Sequence, residues 1–311
     1  MTFAIFLTIF ASFLWGITNH IDKFMINGID ESGSSIKTLL VFSTLVAGII
    51  ISPIWLIISK FSIGISNISL LCVLLSSFVY ILATYFYFKA LEKNDASIVV
   101  VMFQLIPVFS YILALIFFEE NLALQQIIGS ILIILSAVLI SFDFEEKNNK
   151  SKWLALILMT LSSLLYATYF FLFDIGIRNS SYNSCAFWLQ IGFLIQGIIL
   201  ICFKNYRSTF IKAIKNNGQK YFYLNITNEV INLIANLLVN YANVTIPLAL
   251  ANVLNGFQGA FVFILGVIGV KLLPKYFKEN ISKKIVVQKI SCIIISIVGL
   301  IIMFVWNERM D

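Results

Sequence analysis

Ten runs of about twenty apolar residues, separated by short polar links, limit what this chain can become. They fall at about 3–25, 38–59, 69–91, 97–118, 123–142, 153–175, 184–203, 221–241, 247–270 and 285–306. A helix needs roughly 20 apolar residues to cross a bilayer. There each backbone N–H and C=O must be satisfied within its own segment, so such runs become helices. Charged residues make up 12% of the chain and hydrophobic ones 60%, about half the charged share of a soluble domain. The expected fold is all-α integral membrane, with ten transmembrane helices and little chain left over for a soluble domain.

The link EEKNNKSK at 145–152 has five runs on either side. ASFLWG at 11–16 aligns with SSLLYA at 162–167, and FEEN at 118–121 with FKEN at 277–280. Two matches in order around a central linker point to duplication. Five is odd, so the second copy enters the membrane upside down and the two form inverted five-helix repeats. The expected units are 1–144 and 153–311, joined by the linker 145–152.

The net charge of +6 is spread over short links between apolar runs, which is a topology signal and predicts no nucleic-acid partner. Eighteen of the 21 Lys and Arg residues fall on the side opposite the N-terminus, and only Lys60, Arg178 and Arg309 on the other. The positive-inside rule makes the basic side, called Y here, cytoplasmic and places both termini outside, on side X.

The eighth run departs most from plain apolar character. YFYLNITNEVINLIANLLVNYAN, 221–243, carries Asn225, Asn228, Glu229, Asn232, Asn236 and Asn240. Steps of three and four residues put them on one helical stripe. Glu229 is expected about 12 Å deep, near the middle of the hydrocarbon, where an ionisable group is a functional candidate. It can hold a cationic substrate group or a coupling proton, while Asn225 and Asn232 offer amides to orient substrate. Asn236 and Asn240, nearer side X, read as ties between helices. The first run has a stripe of Thr8, Ser12, Trp15, Asn19 and Asp22. Trp15 is too deep for an interfacial belt and suits a cavity wall. His20 reads as a hydrogen-bonded interfacial residue, and Asp22 and Lys23 as membrane-edge groups facing water or headgroups.

Further candidates are Tyr80 and Thr84 in the third run, Gln104 in the fourth, Ser163 and Tyr166 in the sixth, and Asn252 and Asn255 in the ninth. Glu229, Trp15, Thr84, Gln104, Ser163 and Asn255 all fall about 10–18 Å from one membrane face by helical rise. Pro107 interrupts the fourth helix by leaving a carbonyl unpaired. Runs five and ten carry only small polar residues and read as outer packing helices. In run seven, Gln190 and Gln196 fit either packing or lining.

No enzyme motif is present: there is one His, no HExxH, no P-loop and no GxSxG. Cys72, Cys185, Cys202 and Cys292 have no metal or disulfide spacing. No cofactor, metal or catalytic residue is expected, and no glycine-rich filter argues for a channel.

The sequence resembles the EamA-type branch of the drug/metabolite transporter superfamily. The resemblance rests on LWG at 14–16 and on YFYFKALEKNDASIVVVMFQLIPVFSYILALIFFEENLALQQIIGSILIILSAVLI at 85–140, with Pro107, Glu120 and Gly129 in the family's positions. The second half follows more loosely, through NYANVTIPLALANVLNGFQGAFVFILG at 240–266 and EN at 279–280. There the counterparts of the Pro and the Gly are Phe257 and about Gln288. The resemblance implies two inverted five-helix halves, transport of small metabolites by alternating access, and a cavity lined by helices one, three, four, six, eight and nine. Two points depart from it. The family is usually drawn with cytoplasmic termini, and it has no universal Glu at the position of Glu229. The expected function is secondary active transport of a small polar metabolite, such as an amino acid or amine, across the cytoplasmic membrane. Membrane lipid and a small-molecule substrate are the expected partners. A flippase for a lipid-linked intermediate and a non-transporting membrane scaffold are the alternatives.

Overall fold

The computed structural model describes residues 2–28, 35–118, 123–141, 150–243, 246, 253–274, 277 and 279–304. Glu119, Glu120, the linker residues 145–149, Pro247 and Asn252 lie outside the described residues. The described residues are mostly helical, without strands, and nine of their helices are long and apolar enough to cross a membrane. They are α1 (Thr2–Asn27), α2 (Ile36–Ile58), α3 (Asn67–Lys93), α4 (Ala96–Phe117), α6 (Lys150–Arg178), α7 (Tyr182–Cys202), α8 (Gln219–Ala242), α9 (Val253–Leu272) and α10 (Lys283–Phe304). The fifth expected span is the shorter apolar helix α5 (Leu124–Ile140). Its 17 residues rise about 25 Å, less than a bilayer core of about 30 Å. The protein is therefore a multi-pass membrane protein, all-helical among the described residues.

Polar side chains set the helix ends. On side X, α3 begins at Ser66, whose Oγ accepts from Ser69 N at 3.1 Å. The start of α7 repeats the device, with Ser181 Oγ accepting from Ser184 N at 3.1 Å. Each serine satisfies one of the orphan N–H groups of a helix start. At the other end of α3, Lys23 Nζ donates to the carbonyls of Glu92 at 3.2 Å and Asn94 at 2.8 Å. A cation at a helix C-terminus meets unpaired carbonyls and the negative end of the dipole. Lys23 is thus bound to protein rather than facing headgroups. In α4 the helix tightens into a 3-10 turn at Met102–Gln104, just ahead of Pro107. Ser163 Oγ of α6 donates to Met102 O within that turn at 3.3 Å.

Helix pairing follows a pattern. α3 packs along α6, and α1 along α8; α3 against α7, and α2 against α8; α4 against α6, and α1 against α9. α2 packs on α7, α4 on α9 and α5 on α10. Exchanging each of the first five helices for its counterpart five places on turns this set into itself. The α5–α10 contact depends on glycine. A Cβ on Gly129 would lie 2.6 Å from Gly299 O, and one on Gly299 would lie 3.0 Å from Gly129 O. Only hydrogen side chains permit that backbone approach. These two helices turn Ile127, Ile131, Ile134, Ile290, Ile294 and Ile301 outward, as outer packing helices do.

On side Y the turn between α3 and α4 is bound to the second half of the chain. Lys289 of α10, only 1% exposed, donates to Asp95 Oδ2 at 2.6 Å and to Glu279 Oε1 at 2.8 Å. Its third bond is to Asn280 O at 3.1 Å, and Ser97 Oγ also donates to Glu279 Oε1. Asp95 Oδ2 accepts in addition from Asn280 N at 3.0 Å. A buried lysine needs such partners. Lys289 is a structural cation rather than one of the loop charges that set topology.

Candidate functional site

The polar site lies where α1, α3, α6 and α8 meet, with α2 and α9 at its edges. Each helix contributes groups three or four residues apart, and so on one face. They are Asn19 and Asp22 on α1, Tyr80, Thr84 and Tyr87 on α3, Tyr166 and Tyr169 on α6, and Asn225, Asn228, Glu229 and Asn232 on α8. Tyr80 is at the middle of α3. Glu229 is ten residues into α8, about 15 Å along it, and Asp22 is about 8 Å from the side-Y end of α1.

A chain of hydrogen bonds crosses the site. Gln258 Nε2 of α9 donates to Asn19 Oδ1 at 2.7 Å. Asn19 Nδ2 donates to the Tyr87 hydroxyl at 2.9 Å. Tyr87 donates to Asp22 Oδ2 at 3.2 Å, and Asn228 Nδ2 donates to Asp22 Oδ1 at 2.8 Å. Beside it, Asn225 Nδ2 donates to Ser43 Oγ of α2 at 3.3 Å, and Ser43 also bonds to Glu229. Glu229 and Asp22 lie within electrostatic range of each other and of Tyr80 and Tyr166. Neither carboxyl has a basic ion-pair partner among the described residues.

An aromatic wall completes the site. Tyr80 packs edge-on against Tyr166 at 5.4 Å and Tyr169 at 5.1 Å, and tilted against Phe193 at 5.0 Å. Phe103 lies between Tyr87, at 5.1 Å, and Tyr166, at 5.7 Å. The Tyr166 hydroxyl and Thr84 Oγ1 are 2.9 Å apart. Tyr80, Tyr166, Asp22, Glu229 and Asn232 are each half-buried.

Of the expected residues, Glu229, Asn225, Asn19, Tyr80, Thr84 and Tyr166 come together here. Asn232 is half-buried one turn along α8 from Asn228. Asn255 is half-buried on α9, its Oδ1 without a partner among the described residues. Three others do different work. Trp15 packs into the α1–α8 seam with Ala11, Ala235 and Val239. Ser163 is fully buried on the α4 turn. Gln104 is buried and reaches Gly256 O of α9 at 3.4 Å. Asn252 lies outside the described residues.

Asp22 departs most from expectation. It is not a headgroup-facing edge residue but a bonded centre of the network, because α1 continues as a spanning helix to Asn27. Tyr87, Asn228, Ser43 and Gln258 were likewise not singled out as ligands. The four-residue step from Asn225 to Glu229, doubled by Asn228, was the available signal. His20 is hydrogen-bonded as expected, with Nε2 2.8 Å from Val262 O and the ring 5.0 Å from Phe277. Gln196 ties α7 to α3 through Ser77 Oγ at 2.8 Å, and Asn240 ties α8 to the Tyr182 hydroxyl of α7. Asn236 is exposed and bonds back to Asn232 O of its own helix at 2.8 Å.

A separate groove of about 660 Å³ lies between α1, α8 and the end of α9. Its walls include Ile17, Ile21, Phe24, Leu224 and Leu265, with His20 and Lys220 as its basic groups.

Residues 2–142 match the model of the EamA-like transporter family. No curated protein matches. A crystal structure described only as that of a protein superposes with a TM-score of 0.54 at 12% identity, covering 99% of this chain and 98% of that one. At that identity the likeness concerns the fold alone. Over residues 2–142, less than half of the chain, the sequence is similar to that family.

Proposed function

We propose that this protein is a secondary active transporter that moves a small polar metabolite of the amino acid or amine type across the cytoplasmic membrane by alternating access. One observation carries the reading: two carboxyls, Asp22 and Glu229, converge with four tyrosines inside a helical bundle, with no basic residue paired to either among the described residues. An ionisable group among spanning helices commonly marks a substrate or ion pathway. In this reading Glu229 takes up and releases the coupling proton or a cationic group of the substrate. Asn225, Asn232 and Asn255 orient the substrate, and Tyr80 and Tyr166 hold its apolar part.

The bundle would be two inverted five-helix units, 1–144 and 153–311, with α5 as the fifth crossing. The self-matching helix pairing supports this, as does the FEEN and FKEN repeat. Sliding of one unit against the other would expose the cleft to each side in turn. Side Y would be cytoplasmic, by the distribution of basic residues.

A flippase calls for a laterally open polar groove, and the groove between α1, α8 and α9 has mostly apolar walls. A scaffold calls for an interior in which each amide is bonded, whereas Oδ1 of Asn225, Asn228 and Asn255 has no partner among the described residues. The test is transport in vesicles: Glu229→Gln should abolish solute movement or uncouple it from the proton gradient, and unchanged pH-dependent transport would contradict the reading.

A further inference from the structure

The groove between α1, α8 and the end of α9 shares helices with the polar site but not its chemistry. α8 and α9 both pack on α1, so α1 is its floor and the other two are its walls. Ile17, Ile21, Phe24, Leu224 and Leu265 make it apolar. Two of its polar groups are spent within the protein: Thr227 Oγ1 donates to Tyr223 O of its own helix at 2.8 Å, and His20 bonds Val262 O. The α8 wall is accessible, with Lys220, Tyr223 and Thr227 all exposed. At the other rim Leu273 is 51% exposed.

Depth limits what can fill it. The rim lies at the side-Y ends of the helices, with Lys220 one residue into α8 and Leu273 one residue past α9. Thr227 is eight residues into α8, and Ile17 is ten residues from the side-Y end of α1. The groove therefore reaches about 12–15 Å inward. That is half of a hydrocarbon core of about 30 Å, the share of a single leaflet. Its volume of about 660 Å³ falls in the range of ligand pockets, roughly 300–1,000 Å³. An apolar recess at this depth takes up hydrocarbon rather than water.

Charge selects the headgroup. Lys220 sits on the rim, and Lys271 lies in the last turn of α9; both are exposed. The helix that becomes α8 runs unbroken from Lys204 to Asn243, and over 204–228 it carries five basic residues and no acid. The stretch 258–277 has Lys271 and Lys275 and no acid. On α1, Asp22 is bonded into the polar network by Tyr87 and Asn228. Lysines at helix ends lay their stems along apolar surface and hold the ammonium at headgroup level. Basic groups placed so between spanning helices attract anionic lipid headgroups.

We propose that this groove binds an anionic phospholipid of the side-Y leaflet, with one acyl chain between α8 and α9 against α1 and the phosphate held by Lys220 and Lys271. The lipid is a resident of the site and not the transported solute, so the proposal stands or falls apart from the transporter reading.

The test is native mass spectrometry of the full-length protein, released from mixed micelles that hold equal amounts of phosphatidylglycerol and phosphatidylcholine with identical acyl chains. Wild type should retain phosphatidylglycerol over phosphatidylcholine by more than about fivefold. Lys220→Gln combined with Lys271→Gln, both at exposed positions, should bring the two lipids to within about twofold of each other. Thr227→Trp places a ring in the groove from an exposed position and should lower retention of both lipids severalfold; Thr227→Phe serves if that variant does not fold. Equal retention of the two lipids by wild type would overturn the proposal. So would a preference that survives the lysine substitutions, which puts the lipid elsewhere. Retention untouched by the ring would reduce the site to a headgroup contact at the surface and overturn the groove. A dimer that Thr227→Trp dissociates, with no lipid retained, would make the occupant a second copy of the chain and overturn it as well.

Discussion

Asn228 Nδ2 lies 2.8 Å from Asp22 Oδ1, and this one bond joins α8 to α1 in the middle of the polar network. Asp22 has a second donor in Tyr87, 3.2 Å from its other oxygen. Removing the amide therefore loses one of two bonds. A double-mutant cycle of Asp22→Ala and Asn228→Ala, read by thermal or denaturant unfolding in detergent, should give a coupling energy of about 0.5–2 kcal/mol. A coupling indistinguishable from zero would mean that the two groups do not bond in the folded protein.

Much of the fold was legible because the bilayer imposes it. Apolar runs such as 69–91 and 184–203 became α3 and α7 within a few residues at each end. The α8 stripe was legible as a face, but its members divide by what stands opposite. Asn225 and Asn228 meet Ser43 and Asp22, Asn240 meets Tyr182, and Asn236 bonds its own helix at an exposed position. Periodicity names the face of a helix and not its neighbour. Asp22 was hidden for a related reason. Next to Lys23 it reads as a charged helix end, and only the tertiary structure shows that Lys23 serves α3 while Asp22 turns inward. Lys289 was hidden by distance along the chain, since Asp95 lies 194 residues away.

Lys289 is the most demanding side chain in the packing. Replacing it with Met would leave Asp95 and Glu279 with their charges and no cation between them. A loss of about 3–5 kcal/mol is expected, read as a large drop in the melting temperature of the detergent-solubilised protein. Stability within error of wild type would contradict the buried ionic tie between the α3–α4 turn and α10.

Glu279 gives that cluster a pH dependence. Burial pushes its carboxyl above the ordinary value of 4.5, and Asp95 adds to the shift, while Lys289 and Ser97 pull it back. Because the folded-state value is raised, the native protein binds more protons than the unfolded chain between 4.5 and that value. The contribution of this site is therefore full below pH 4.5 and is lost as pH rises through the folded value. Melting temperature should fall with rising pH across that interval, and Glu279→Gln should flatten the slope. An unchanged slope in the variant would assign the dependence to another group.

The α5–α10 seam admits no side chain at its crossing. Gly129→Val would drive a Cβ to 2.6 Å from Gly299 O and 2.7 Å from Met303 Cβ. The helices must separate, at a cost of about 1–3 kcal/mol, visible as a lower melting temperature. Gly64→Val is the control, since nothing lies within 4 Å of a Cβ there, and it should leave melting unchanged. Equal melting of the two variants would contradict the close approach.

The most direct test of the central claim is proton-driven solute movement in proteoliposomes that carry wild-type protein or Glu229→Gln. The account predicts that an imposed pH gradient drives saturable accumulation in wild type. In the variant it predicts accumulation that is abolished, or exchange that persists without response to the gradient. A variant that accumulates solute with the same pH dependence as wild type would contradict Glu229 as the coupling group.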